Sequence, residues 1–227
     1  EIAKLQIKRG AAGITCAKLG EAEDLAKAGI ENILIANQVV QPSKVKRVAE
    51  LAKDRYIIIC VDDKDNIKAL SDAAVEAGSQ IHVLVEYEVG MKRCGVDTYD
   101  EFIELAELID KSEGLIFEGI QAYGGHMAHE HSLETRIAET NRIENEVREL
   151  KALLEAKGLK VKEVGGGSTG TIEQKAKDTV YTDIQAGSYI FMDNAYGQLH
   201  LGFKNALFVL TTVISTKKDR VVTDTGV

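Results

Sequence analysis

Val161 to Thr171, reading VKEVGGGSTGT, joins an apolar strand-like run to four glycines and three hydroxyl side chains. Gly165, Gly166 and Gly167 can take backbone angles closed to other residues and so present bare N–H groups to an anion. Ser168, Thr169 and Gly170 then lead into a short polar run, Ile172 to Lys177, with a helical pattern. That is the chemistry of a phosphate cradle. No lysine follows the glycines, which excludes a nucleotide P-loop. A tight strand-to-helix turn would use the same glycines, so the triplet alone does not decide between the two. A second stretch, Asp183 to Asp193 (DIQAGSYIFMD), repeats the device, with Gly187, Ser188 and Tyr189 after an apolar run.

Arg93 lies between Gly90 and Gly95 in GMKRCG, where a guanidinium is able to bind a phenolic or carboxylate oxygen. His126, His129 and His131 fall within six residues, but only Glu130 is a nearby acid, so a metal site is not expected there. His126 alone, directly after two glycines, is the candidate general base or ring contact. Cys16, Cys60 and Cys94 each sit in or beside an apolar run without CxxC spacing, which fits reduced thiols and a cytoplasmic protein rather than a zinc site.

At 227 residues one large domain is expected, with 44% hydrophobic and 28% charged residues, ordinary globular values. The net charge of −8 and the lack of a dense basic run argue against nucleic acid as a partner. No apolar run is long enough to span a bilayer and no signal peptide is visible at Glu1, so no membrane partner is expected.

The elements that must position these residues alternate. Strand patterns at Ala12 to Ala17, Asn32 to Ala36, Tyr56 to Val61, Ile81 to Glu86, Leu115 to Ala122, Lys160 to Val164 and Asp183 to Ala186 are separated by helical patterns. The helices include Gly20 to Ala28, one from Pro42 to Lys53, Thr98 to Lys111 opened by a Thr98-x-x-Glu101 capping box, and Glu134 to Lys157. Continuous apolar strands alternating with helices imply a parallel sheet. Seven strands after an opening helix are one short of a (β/α)8 barrel, and the missing strand is expected before Glu1. On that count both glycine turns fall after strands seven and eight, where such barrels hold phosphate. An open doubly wound sheet is the competing fold, but no dinucleotide fingerprint follows an early strand. Domain boundaries are expected at 1–200 for the barrel and 201–227 for the beginning of a β domain, because Ala206 to Thr216 and Arg220 to Val222 read as β-type runs. Both ends read as cut.

Five stretches, GITCAKLGEAEDLAKAGIENILIANQVV (Gly13 to Val40), VGMKRCGVDT (Val89 to Thr98), FEGIQAYGGHMAH (Phe117 to His129), VGGGSTGT (Val164 to Thr171) and QAGSYIFMDNAY (Gln185 to Tyr196), together resemble one family. They look like the pyridoxal-phosphate enzymes of the alanine racemase barrel fold, in the D-threonine aldolase and D-serine dehydratase branch. The resemblance implies pyridoxal 5'-phosphate as cofactor. Gly166, Gly167, Ser168, Thr169 and Gly170, with Gly187, Ser188 and Tyr189, would bind its phosphate. Arg93 would approach its phenolic oxygen, Gln121 and Tyr123 would line the ring pocket, and Asn37 and His126 would lie near cofactor or substrate.

In this family the Schiff-base lysine ends the first barrel strand, ahead of the segment that begins here at Glu1, and no lysine of this sequence matches it. The resemblance therefore implies an inactive chain by itself and, for the complete protein, a lyase acting on D-3-hydroxy amino acids. A D-threonine aldolase releasing glycine and an aldehyde is the leading expectation. A D-serine or 3-hydroxyaspartate dehydratase, an amino-acid racemase, a non-catalytic cofactor-binding barrel and a sugar-phosphate barrel enzyme are the alternatives. The resemblance also implies a homodimer, and a divalent metal held by residues outside this chain.

Overall fold

The computed structural model describes residues 1–172 and 179–225, with the backbone alone at 128 and 129. Two compact units divide the chain, residues 1–186 and 187–227.

The first unit opens with helix α1 (Ile2–Lys8) and then alternates strand and helix: β1 (Ile14–Cys16), α2 (Leu19–Lys27), β2 (Asn32–Ile35), α3 (Pro42–Leu51), β3 (Tyr56–Val61), α4 (Lys64–Ala77), β4 (Ile81–Glu86), α5 (Tyr99–Lys111), β5 (Leu115–Ala122), α6 (Leu133–Ala156), β6 (Glu163–Gly166) and β7 (Asp183–Ile184). The seven strands form one parallel sheet in sequence order, a curled partial (β/α) barrel with β1 and β7 at its edges. The expected helical run from Ile172 to Lys177 falls almost wholly outside the described residues.

Local chemistry sets the helix ends. The Asp63 carboxylate accepts from the Asp65 and Asn66 amides at 2.8 and 3.2 Å and so starts α4, and Gly78, at φ +67°, ends it. The Thr98 hydroxyl accepts from the Glu101 amide at 3.2 Å and donates to its carboxylate at 3.0 Å. At α2 the entering residue is Lys18, not a capping type. Glu21 does the work instead, taking the Ala17 and Lys18 amides at 3.1 and 2.9 Å, and the helix begins one residue earlier than the pattern predicts.

Strands β2 to β6 are largely buried on both faces, which is why the central ones read as unbroken apolar runs. In β3, Ile57, Ile59 and Val61 pack with the helices in the main core, whereas Ile58 and Cys60 join Leu34 and Leu84 in a separate cluster on the opposite face. Near the amino ends of the central strands that inner face turns polar. A register shift between Val83 and Leu84 makes Glu118 the extra residue of β5. Glu118 is buried and accepts from the Tyr56 hydroxyl at 2.7 Å, from the Lys162 ammonium at 3.2 Å and from His82. Burial alone would raise its pKa, but the bonds from His82, Tyr56 and Lys162 outweigh that and hold it down at about 2.

In the second unit a 3-10 turn (Ser188–Ile190) and a short helix α7 (Asn194–Gly197) precede an antiparallel pair, β8 (Val213–Thr216) with β9 (Val221–Thr223). The β-type run expected from Ala206 to Thr216 is strand only over its last four residues. A strand is defined by its ladder, and β9 is too short to partner the earlier part, where Leu207 to Leu210 lie exposed. Among the described residues no helix is long and apolar enough to cross a membrane.

Candidate active site

Strands β1, β2, β5 and β7 and the loop after β4 bring their carboxyl-end residues around one cleft of about 230 Å³. Thr15, Cys16, Arg93, Gln121, Tyr123 and Gln185 supply its functional groups. Three of them, Arg93, Gln121 and Tyr123, are residues the sequence motifs single out. The Arg93 guanidinium carbon stands 5.8 Å from the centre of the Tyr123 ring, a cation over an aromatic wall.

Arg93 is held from both sides of its loop. The Arg93 amide donates to the Glu88 carboxylate at 3.2 Å, Gly90 donates to the same carboxylate, and the Gly95 amide donates to Asp62 at 2.9 Å. Main-chain bonds from Val96 to the Glu86 carbonyl (2.9 Å) and from Glu88 to the Val96 carbonyl (3.0 Å) close the loop. The guanidinium itself reaches the Glu86 carboxylate at 3.4 Å, and the Gln38 amide donates to the other oxygen of that carboxylate at 2.6 Å.

Gln121 and Gln185 form a reciprocal amide pair, at 2.9 and 2.8 Å, that bridges β5 and the end of β7 across β6. The pair passes directly over Gly165, where a Cβ would come within 2.7 Å of the Gln121 oxygen and 2.8 Å of the Gln185 nitrogen. Gly166 is equally crowded, its missing Cβ directed 2.5 Å from the Ala122 carbonyl oxygen and into the ring of Tyr181. These two glycines are thus required by the packing of the protein itself, independently of any ligand. Gly167 follows at φ +64°.

The turn after β6 is tied by Thr171. Its hydroxyl accepts from the Ser168 amide at 3.0 Å and its amide donates to the Ser168 carbonyl at 3.1 Å. Ser168, Thr169 and Gly170 are all buried, and among the described residues the Ser168 hydroxyl oxygen has no hydrogen-bond partner. A buried hydroxyl left without a partner is costly unless something from outside the protein meets it. With the cationic Arg93 and the aromatic Tyr123 in the neighbouring cleft, these residues fit a phosphate-bearing aromatic ring.

Gly187, Ser188 and Tyr189 belong to the second unit, where Gly187 precedes the 3-10 turn and the Met192 amide donates to the Ser188 carbonyl at 2.7 Å. A Cβ at Gly187 would meet nothing within 4 Å. Asn37 is a brace between loops. Its amide donates to the Ala17 carbonyl at 3.1 Å and its oxygen accepts the Gln38 amide at 3.0 Å, and it does not line the cleft. His126 also stands outside the cleft lining, with its Nε2 3.3 Å from Glu139 of α6. The side chain of His129 lies outside the described residues, and among the described ones no three His, Cys, Asp or Glu side chains gather to hold a metal.

Cys16 lines the cleft, but burial, with a further push from Glu21, drives its thiol up to about 12, which makes it a poor nucleophile. Gln38, Glu86 and Gln185 are site residues beyond those the motifs assign. Glu86 and Gln38 carry a signal in the sequence as polar residues at strand ends. Gln185 carries one too, as the polar residue directly after β7.

The sequence model of the family described as alanine racemase, N-terminal domain, matches residues 1–195. The chain belongs to that family. Within it, the chain is 41% identical over 231 residues to a D-threonine aldolase of an Arthrobacter species, and 39% identical over 238 residues to a 3-hydroxy-D-aspartate aldolase of Paracoccus denitrificans. Each match takes in 100% of this chain and 61% and 62% of those proteins respectively, so this alanine racemase-type barrel spans about three fifths of the relatives' length. The crystal structure of D-threonine aldolase from Filomicrobium marinum superposes with a TM-score of 0.92 at 37% identity, covering 96% of this chain and 59% of that one.

Proposed function

We propose that this chain is the cofactor-binding barrel of a pyridoxal-phosphate-dependent lyase acting on D-3-hydroxy amino acids, with retro-aldol cleavage to glycine and an aldehyde as its reaction. The observation that carries the reading is that Arg93, Gln121 and Tyr123, from two separate motifs, line one cleft at the carboxyl ends of the strands. The buried Ser168 hydroxyl, without a partner among the described residues, adds a phosphate donor after β6 at the same end. The two aldolase relatives support the choice of substrate class.

In this reading the hydroxyl of Ser168 and the turn from Gly166 to Gly170 would hold the phosphate. Arg93 would supply positive charge for the ring's phenolic oxygen, and Tyr123 would form an aromatic wall beside it. The Gln121–Gln185 pair offers neutral donors and acceptors, so the floor orients a ring without protonating it. When bound, the cofactor supplies an electron sink for the pair released as a bond to the substrate's Cα breaks. No step is assigned to His126, whose ring is engaged by Glu139. No lysine lines the cleft among the described residues, and we place the lysine that bonds the cofactor, and the ligands of a divalent metal, in parts of the longer protein outside this chain. That longer protein is proposed to work as a homodimer.

The test is product analysis with the longer protein, loaded with pyridoxal 5'-phosphate and offered D-threonine and D-3-hydroxyaspartate. Glycine with acetaldehyde or glyoxylate is expected. Ammonia with a 2-keto acid would make it a dehydratase, and racemised amino acid with neither product would overturn the lyase reading.

A further inference from the structure

We propose that Glu86 is the positioning residue that aims Arg93 at the ring oxygen of the bound cofactor, and that Gln38 in turn fixes Glu86. The proposal rests on the cofactor reading above and deepens it.

Glu86 ends β4 and is 4% exposed, so its carboxylate sits where an unpaired charge would not be tolerated. One oxygen takes the Gln38 amide at 2.6 Å and the other faces the Arg93 guanidinium at 3.4 Å. The Arg93 side chain, in contrast, is 47% exposed. A long side chain with that much access to water has many rotamers open to it, and only a fixed anion or a fixed ring would hold it in one. Glu86 and the Tyr123 ring are those two anchors, one buried beneath the guanidinium and one in the cleft wall.

The loop adds a reason to assign the aiming to Glu86 rather than to the backbone. The bonds from Glu88 and Asp62 fix the main chain at Gly90, Arg93 and Gly95, which places the Arg93 Cα without deciding where its guanidinium points. A guanidinium has five donors, and the contact with Glu86 uses one nitrogen, leaving donors for a ligand oxygen. Gln38 makes the anchor rigid. Its nitrogen is committed to Glu86, and its own buried oxygen has no partner among the described residues, so the amide cannot be turned without losing the bond it makes.

The test uses the longer protein freed of its cofactor and two probes that lack the aldehyde and so form no bond to a lysine, pyridoxine 5'-phosphate and its 3-deoxy analogue. The wild-type protein is expected to prefer the 3-hydroxy probe. Glu86→Gln keeps the shape and removes the charge. It should weaken the 3-hydroxy probe about tenfold, as expected for a charge-assisted bond, while leaving the 3-deoxy probe within about twofold. Arg93→Ala, at a half-exposed position that does not threaten the core, should abolish the preference, and adding Glu86→Gln to it should then change nothing. Equal loss for both probes in Glu86→Gln would show a merely structural role, and an unchanged preference would show no role; either result overturns the assignment. A wild-type protein that binds neither probe overturns the cofactor reading and the assignment together.

Discussion

The Ser168 hydroxyl is the residue-scale feature that separates ligand binding from folding. It is 3% exposed and has no partner among the described residues, so removing it relieves a desolvation penalty instead of breaking a bond. Ser168→Ala is therefore expected to leave the melting temperature unchanged or slightly raised, while weakening pyridoxine 5'-phosphate by about fivefold to tenfold; calorimetry and a binding titration on the same preparation check both halves. The glycines behave in the opposite way. A Cβ at Gly166 meets a carbonyl oxygen and a tyrosine ring, so Gly166→Ala is expected to lower stability by about 2 kcal/mol or more before any ligand is added, read from the denaturation midpoint. The sequence presents both as one motif. Only the packed structure shows that Gly165 and Gly166 make room for Gln121, Gln185 and Tyr181, because those partners come from β5 and from the segment around β7, far along the chain. The same holds for Glu86, legible as a polar strand end, whose contact with Arg93 depends on how the loop after β4 folds back.

At the scale of elements the chain was largely legible, since most strands are short apolar runs and several helices carry their own start signals. Thr98 with Glu101 and Pro42 at the start of α3 fall where their chemistry predicts. The differences occur where long-range pairing decides. Ala206 to Thr212 has strand-type composition but no ladder, and α2 is opened by Glu21 reaching back past a lysine. Helix α6 carries a tie that no local pattern announces. Its Glu144 is fully buried, accepts from the Thr179 hydroxyl at 3.1 Å and the Val180 amide at 3.4 Å, and pairs with Arg148 at 2.9 Å. It thereby anchors the strand entry to β7 against the outer helix. Glu144→Ala should cost about 1–3 kcal/mol in a urea titration, because two donors lose their acceptor inside the protein. An unchanged midpoint would mean that the β7 entry is held by other contacts.

For the molecule as a whole, the end of the barrel opposite the cleft sets the pH response. Burial, then the neighbouring charges of Asp183 and Glu118, push the Glu163 carboxyl up to about 7, against a smaller opposing pull from Lys162. A carboxyl whose folded pKa exceeds its unfolded value stabilises the fold below the unfolded pKa and loses that contribution as pH rises through the folded one. The expected loss between about pH 4.5 and pH 7 is on the order of 3 kcal/mol. Glu163→Gln should flatten that part of the stability profile and raise the melting temperature at pH 8 with little change at pH 4.5. A profile that keeps its slope in the variant would assign the pH dependence to other groups.

The central claim is that this barrel holds a phosphorylated pyridoxyl ring in the carboxyl-end cleft. A larger hollow, about 580 Å³, lies on the outer face of α2 and α3, lined by Glu23, Lys27, Arg47 and Glu50. Its charges pair with neighbours, as Arg47 does with Glu23 and Lys53 with Glu50. Amide chemical-shift mapping of the isotope-labelled chain with pyridoxine 5'-phosphate distinguishes the two places directly. The account predicts saturable shifts at Gly165 to Thr171, at Arg93, and at the side-chain amides of Gln121 and Gln185, with pyridoxine lacking the phosphate giving far weaker effects. Shifts confined to the α2–α3 face, or equal responses to the two compounds, would contradict it.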